Sequence, residues 1–193
     1  MSLLIKNIKK LIQCRTDKIS FVSGEEMSFL PSIDNAYLFI KDGKINDFGK
    51  MQDLKNINTD QVIDAKDRMV LPSWCDSHTH IVFSGNRSKE FIDRIKGLSY
   101  EEIAARGGGI LNSAKLLQNT SKEDLYNQSK MRIESVIRQG TGAIEIKSGY
   151  GLTFESELKM LQVIKKIKEN SKMQVKSTFL GAHAYPNEFK DDK

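Results

Sequence analysis

The chain has 193 residues, a formal net charge of +5 and an apolar fraction of 39%, which suits one domain or parts of two around an ordinary packed core. It contains no apolar run long enough to span a membrane, and Lys9-Lys10 break the short apolar amino terminus. This excludes a signal-peptide plan and makes the cytoplasm the expected location. Two cysteines, Cys14 and Cys75, build no disulfide framework and suit a reducing compartment. The lysines are dispersed among acids, as in Lys165-Lys166-Ile167-Lys168-Glu169. That pattern reads as a solvated helix face rather than a nucleic-acid footprint.

In chain order, residues 1–68 read as short strands and turns that form a small β domain. Tyr37-Leu38-Phe39-Ile40 and Lys44-Ile45 flank Lys41-Asp42-Gly43, an Asp-Gly hairpin signal. Val62-Ile63-Asp64-Ala65 and Arg68-Met69-Val70-Leu71 flank Lys66-Asp67 and predict a second hairpin. From residue 69 to 193 strands alternate with helices. Ser99-Tyr100-Glu101-Glu102 is a capping box for a short helix ending by Gly107. The Gly107-Gly108-Gly109 run reads as a loop, or as a plain linker. Ser121 caps a helix with a buried stripe of Leu125, Ile133, Val136 and Ile137, stopped by Gly140. Ala143–Lys147 is a strand, Ser148-Gly149-Tyr150-Gly151 a turn, and Phe154–Asn170 a helix with Leu158, Leu161, Ile164 and Ile167 at helical spacing. A further strand runs from Val175 to Leu180. Alternating βα units predict a parallel sheet or a barrel.

The chemistry gathers at strand ends. In Asp76-Ser77-His78-Thr79-His80, strand alternation predicts Asp76, His78 and His80 on one face and Cys75, Ser77 and Thr79 on the other. Two imidazoles two residues apart on one face suit a divalent metal. Ordinary strands use the same pattern, each ring then meeting a backbone carbonyl. The only three histidines are His78, His80 and His183, and Tyr150 follows another strand. In a (β/α)8 barrel such carboxyl-end positions carry the reaction. His183 also suits a hydrogen-bonded core position.

The run Val70-Leu71-Pro72-Ser73-Trp74-Cys75-Asp76-Ser77-His78-Thr79-His80 resembles the first barrel strand of the amidohydrolase superfamily. His78–Arg87, Gly107–Leu111, Glu145–Leu152 and Thr178–Ala184 together resemble, more narrowly, the imidazolonepropionase family. The likeness is strong from 69 to 184 and weak before 60. Ser73 departs from it, standing where the superfamily has glycine. The resemblance implies an α/β fold, a partial TIM-like (β/α)8 barrel of the amidohydrolase type behind a small β-sandwich-like domain. It implies one metal ion per subunit, zinc or iron, held in part by His78 and His80. Arg87, Tyr150 and His183 would contact the small-molecule substrate, 4-imidazolone-5-propanoate, with His183 also a candidate catalytic group. The reaction would open the ring C–N bond to give N-formimidoyl-L-glutamate in histidine degradation. Arg87 suits a carboxylate, although a surface pair with Glu90 also explains it. Tyr150 alternatively packs on a helix. Lys147 reads as a strand-end cation rather than a carboxylated metal bridge.

A barrel needs roughly 250 residues, so further ligands, an acid-base carboxylate and the remaining strands are expected beyond Lys193. With only part of a metal site, these residues alone are expected to be inactive. Neither membrane nor nucleic acid is expected as a partner, and a homodimer is left open. Two other readings stand beside this one: another superfamily deaminase or cyclic amidase, and a non-catalytic basic binding module.

Overall fold

The computed structural model describes residues 1–185 and separates the chain into two units, Met1–Pro72 and Ser73–Lys193. The first is organised by its longest strand, β1 (Ser2–Ile12). Strand β2 (Ser32–Lys41) lies antiparallel along one edge of β1, and β3 (Lys44–Lys50) returns along β2. Asp42 and Gly43 take φ of 51° and 75°, the left-handed pair that lets a two-residue turn follow the twist of its strands. The Asp-Gly hairpin is therefore present.

The second predicted hairpin is not. Strands β4 (Gln61–Asp64) and β5 (Met69–Val70) both pair parallel with β1, at Leu3–Lys6 and at Lys10–Leu11. Lys66 and Asp67 do form a left-handed turn, at φ 48° and 62°. The amide of Ala65 bonds the Lys6 carbonyl at 2.8 Å, that of Asp67 the Asn7 carbonyl at 3.1 Å, and Lys9 N the Arg68 carbonyl at 3.0 Å. The long free edge of β1 offers more backbone partners than a short hairpin would. The turn therefore becomes a step along that edge, and the unit is one five-stranded sheet.

A bulge in β1 decides what this sheet buries. Pairing passes from Ile5↔Leu38 to Ile8↔Ala36, one residue more on β1 than on β2. Asn7 absorbs it at φ 54°. Leu4 and Ile8, four apart, would share a face in a regular strand. The extra residue sends Leu4 to a cluster with Tyr37 and Phe39, and Ile8 to another with Leu11, Ala36, Leu38 and Ala65.

The second unit begins with β6 (Trp74–Thr79). Helices α1 (Ser88–Ile95), α2 (Tyr100–Ala105), α3 (Gly109–Gln118) and α4 (Lys122–Arg138) follow. Then come β7 (Thr141–Lys147), α5 (Phe154–Asn170) and β8 (Gln174–Thr178). The strands form a parallel sheet in the order β6-β7-β8. This is the α/β architecture expected, and no barrel closes among the described residues. No helix among them is long and apolar enough to cross a membrane.

Capping sets the helix starts. Ser99 and Glu102 bond each other's amides at 3.2 and 2.7 Å, a complete capping box. Ser121 and Thr153 cap α4 and α5 by accepting from Asp124 N and Ser156 N. Neither α1 nor α3 has a side-chain cap, which is why pattern reading passes over both. Gly109 opens α3 instead of lying in a loop. The ε-ammonium of Lys159 closes the other end of α3, donating to the carbonyls of Leu117, Gln118 and Thr120 at 2.7, 3.1 and 2.7 Å.

The core joins Ile144 and Ile146 of β7 to Leu125 and Ile133 of α4 and to Met160, Val163, Ile164 and Ile167 of α5. Two stripe positions differ from expectation: Ile137 and Leu158 are exposed. The arc of α5 that meets the sheet is centred on Met160, Ile164 and Ile167, which turns Leu158 aside. Leu158 borders an open apolar groove of about 1180 Å³ with Phe154, Leu161, Phe179 and Tyr185. Strand β8 ends at Thr178, two residues before the expected Leu180.

Candidate functional site

The strand carrying the His-x-His pair is irregular. Pairing with β7 passes from Asp76↔Ile144 to Thr79↔Ile146, one residue more on β6. The Asp76 carboxylate folds back to the His78 amide at 3.2 Å, and the Thr79 hydroxyl donates to the Glu145 carbonyl at 2.7 Å. Strict alternation through Asp76, His78 and His80 is therefore broken, and Asp76 acts as a local turn acceptor. The imidazoles still lie together, with ring centroids 5.9 Å apart and planes tilted by 59°.

His80 is the hub of a ring cluster. Tyr150 stacks on it at 4.9 Å and His183 at 4.8 Å, while Tyr150 and His183 are 5.5 Å apart. Residues after β6, β7 and β8 thus converge at one end of the sheet. Burial, reinforced by His183 and His78, pushes the His80 imidazolium pKa down. The ring is held neutral, as a metal ligand must be. Among the described residues its buried Nδ1 has no hydrogen-bond partner. An orphaned buried nitrogen beside a second imidazole fits a divalent ion. No group of three or more His, Cys, Asp or Glu side chains converges as a metal cage among the described residues. His78 and His80 would accordingly be part of a ligand set.

The turn between β7 and α5 positions Tyr150. Its amides are gathered by Glu157, a residue that pattern reading missed. The buried Glu157 carboxylate accepts from Gly149 N at 3.1 and 3.0 Å, from Gly151 N at 2.6 Å and from Leu152 N at 3.3 Å. The Gly149 carbonyl faces Nδ1 of His183 at 3.2 Å. A carbonyl only accepts, so Nδ1 carries the proton and Nε2 of the neutral ring keeps its lone pair. Gly149, at φ 113°, allows this approach: a Cβ there would lie 2.8 Å from His183 Nδ1 and 2.9 Å from the Leu180 carbonyl. The sequence signal for Glu157 is faint: a Gly-Tyr-Gly turn with unpaired amides, followed by an acid one helical turn into the next element.

Arg87 lies outside the ring stack. Its Nε donates to Glu90 at 2.6 Å, and its terminal nitrogen pairs with the same oxygen. The Glu90 hydrogen bond holds the guanidinium firmly charged, with Tyr150 near enough to add to the effect. Glu90 also accepts from Gly109 N at 3.0 Å. Burial pushes the Glu90 carboxyl upward, but Arg87 and the Gly109 amide outweigh it and hold the group below the ordinary glutamate range. Lys147 pairs with Glu145 at 2.6 Å. Its hydrogen bond, with that of Thr178, lowers the Glu145 pKa. Arg132, also missed, donates to the carbonyls of Ile81 and Phe83 at 3.1 and 2.8 Å and lies 3.6 Å over the Phe83 ring. It fixes the segment that leaves His80.

No protein-family model matches the chain. An imidazolonepropionase of Flavobacterium psychrophilum is 62% identical over 192 residues, covering 100% of this chain and 47% of the relative. That of Flavobacterium johnsoniae is 62% identical over 193 residues with the same coverage. That of Clostridium tetani is 38% identical over 192 residues, covering 98% of this chain and 45% of the relative. The chain spans about half the length of these curated relatives. Among solved structures, a guanine deaminase of E. coli superposes with TM-score 0.56 at 18% identity, over 93% of this chain and 36% of that one. A triazine hydrolase variant gives 0.60 at 12% identity, over 92% and 35%. At such identities the likeness concerns the fold alone. By sequence the chain is similar to imidazolonepropionases along its whole length and along about half of each relative's.

Proposed function

We propose that the protein hydrolyses the ring C–N bond of 4-imidazolone-5-propanoate to N-formimidoyl-L-glutamate, as part of histidine degradation in the cytoplasm. One observation carries this reading: His78, His80, Tyr150 and His183 meet at the ends of three adjacent parallel strands. The identity to imidazolonepropionases over the whole chain supports it. His78 and His80 would hold a divalent ion, zinc or iron. Such an ion, when bound, supplies a water whose pKa falls from 15.7 to about 7.

The chain's own residues bind and orient the substrate. Arg87 spends two donors on Glu90, which leaves the other edge of its fork for the propanoate carboxylate. Tyr150 and His183 present their rings beside His80, forming a stacked wall for a flat heterocycle. In the neutral His183 ring, Nε2 accepts a hydrogen bond from a substrate N–H. The same edge of the ring would lie beside the ring oxygen, where negative charge develops. Overall, the oxygen of water joins the ring carbonyl carbon, the C–N bond breaks, and the released nitrogen takes a proton.

The test is turnover by the protein at its relatives' full length, followed as loss of imidazolone absorbance and formation of N-formimidoyl-L-glutamate. Turnover of guanine or of a cyclic amide in place of the imidazolone overturns the reading.

A further inference from the structure

We infer that Glu157 is a positioning residue for Tyr150 and His183, an inference that rests on the site reading above. An acid in the first turn of a helix ordinarily stays in water and interacts with the helix dipole. Glu157 is instead buried at 6% exposure, and it accepts from no amide of its own helix start. Its hydrogen bonds reach Gly149, Gly151 and Leu152, all in the turn before α5. The amides on both sides of Tyr150 are among them, so the backbone of Tyr150 is held at both ends. The same turn meets the segment after β8, where Leu180 N donates to the Ser148 hydroxyl at 3.0 Å and His183 Nδ1 to the Gly149 carbonyl. One carboxylate therefore sets the backbone that presents Tyr150 and the acceptor that selects the His183 tautomer. A Cβ on Gly151 would lie 2.8 Å from the Glu157 oxygen and 2.5 Å from its amide. That glycine admits the close approach the arrangement needs.

The experiment uses the protein at its relatives' full length, in wild-type form and as Glu157→Gln, Tyr150→Phe and the double variant. Glutamine keeps the shape and one acceptor oxygen but directs an N–H2 toward part of the same amide cluster. Hydrogen exchange at Gly149, Gly151 and Leu152 is expected to quicken roughly ten- to a hundred-fold, the size of a charge-assisted hydrogen bond. Ile144 and Ile146 keep their protection. The kcat/KM for the imidazolone should fall about tenfold in Glu157→Gln, and the double variant should lose clearly less than the product of the two single losses, the remainder being the part that acts through His183. A merely structural role would multiply the two losses. If Glu157→Gln does not fold, Glu157→Asp, which keeps the charge but reaches less far, is measured in the same way. Unchanged exchange at the three turn amides, or multiplying losses, overturns the inference. Absence of imidazolone turnover in the wild type defeats the functional reading alone, because the exchange measurement still decides the positioning.

Discussion

The imidazole of His80 lies against that of His183, centroids 4.8 Å apart and planes inclined by 17°. The two rings follow β6 and β8, the outer strands of the three-stranded sheet, and Tyr150, which follows the central β7, is stacked beside both. The Nδ1 of His80 is buried and has no hydrogen-bond partner among the described residues. A buried neutral nitrogen of that kind gains most from a metal or a ligand proton.

The metal prediction follows from this pair. In the protein at its relatives' full length, His78→Ala and His80→Ala should each lower affinity for zinc or iron by at least about a hundred-fold, since removing even an outer partner costs about 10–100-fold. Far-ultraviolet circular dichroism should be unchanged. Elemental analysis showing full occupancy in the double variant would falsify their role as ligands.

Arg87 should read the propanoate group. Arg87→Lys keeps the charge but loses the fork that Glu90 orients. A loss of about ten- to a hundred-fold in kcat/KM is expected on the true substrate. An imidazolone lacking the propanoate should show almost none of that loss. Equal losses on both substrates would remove Arg87 as the carboxylate anchor.

The Glu90 carboxyl ties α1 to the start of α3, and its folded pKa is depressed. A depressed carboxylate stabilises above its unfolded pKa of about 4.3, and that stabilisation is lost as pH falls through the folded value. Urea midpoints of wild type and Glu90→Gln should differ at pH 7 and converge in acid, once pH has fallen through the depressed folded value. A gap that persists unchanged into acid would show that the carboxylate's charge is not its source.

Gly149 should tolerate no side chain. Gly149→Ala would place a Cβ 2.8 Å from His183 Nδ1 at φ 113°. A cost of about 1–3 kcal/mol from backbone strain alone is expected, with displacement of His183 and a fall in kcat. Wild-type kinetics in this variant would mean that the His183 contact with the turn is dispensable.

Packing should dominate stability in the second unit. Met160 is fully buried between α5 and the sheet, so Met160→Ala should cost about 2–5 kcal/mol. Met131 of the neighbouring helix is 71% exposed, and Met131→Ala should stay within about 0.5 kcal/mol. Chemical unfolding of the two variants side by side measures the contrast.

Wherever a local signal had no competitor, the amino-acid sequence alone determined the outcome. Asp42-Gly43 prescribes its turn because few other residues adopt two successive left-handed conformations. Ser99 with Glu102, Ser121 and Thr153 prescribe helix starts because their side chains satisfy otherwise unpaired amides. The His-x-His, Gly-Tyr-Gly and Gly-Ala-His-Ala blocks marked the residues that gather at the site. Tertiary structure decided the rest, wherever one group could choose among distant partners. Lys66-Asp67 carries a turn signal, yet the free edge of β1 outbid a hairpin by offering more backbone acceptors and donors. One extra residue in β1 and one in β6 reset which side chains share a face, and no local pattern announces a bulge. Glu157 looked like any acid in a first helical turn. Its burial among the amides of Gly149, Gly151 and Leu152 exists only once α5 packs back on β7, because those amides have no other acceptor among the described residues.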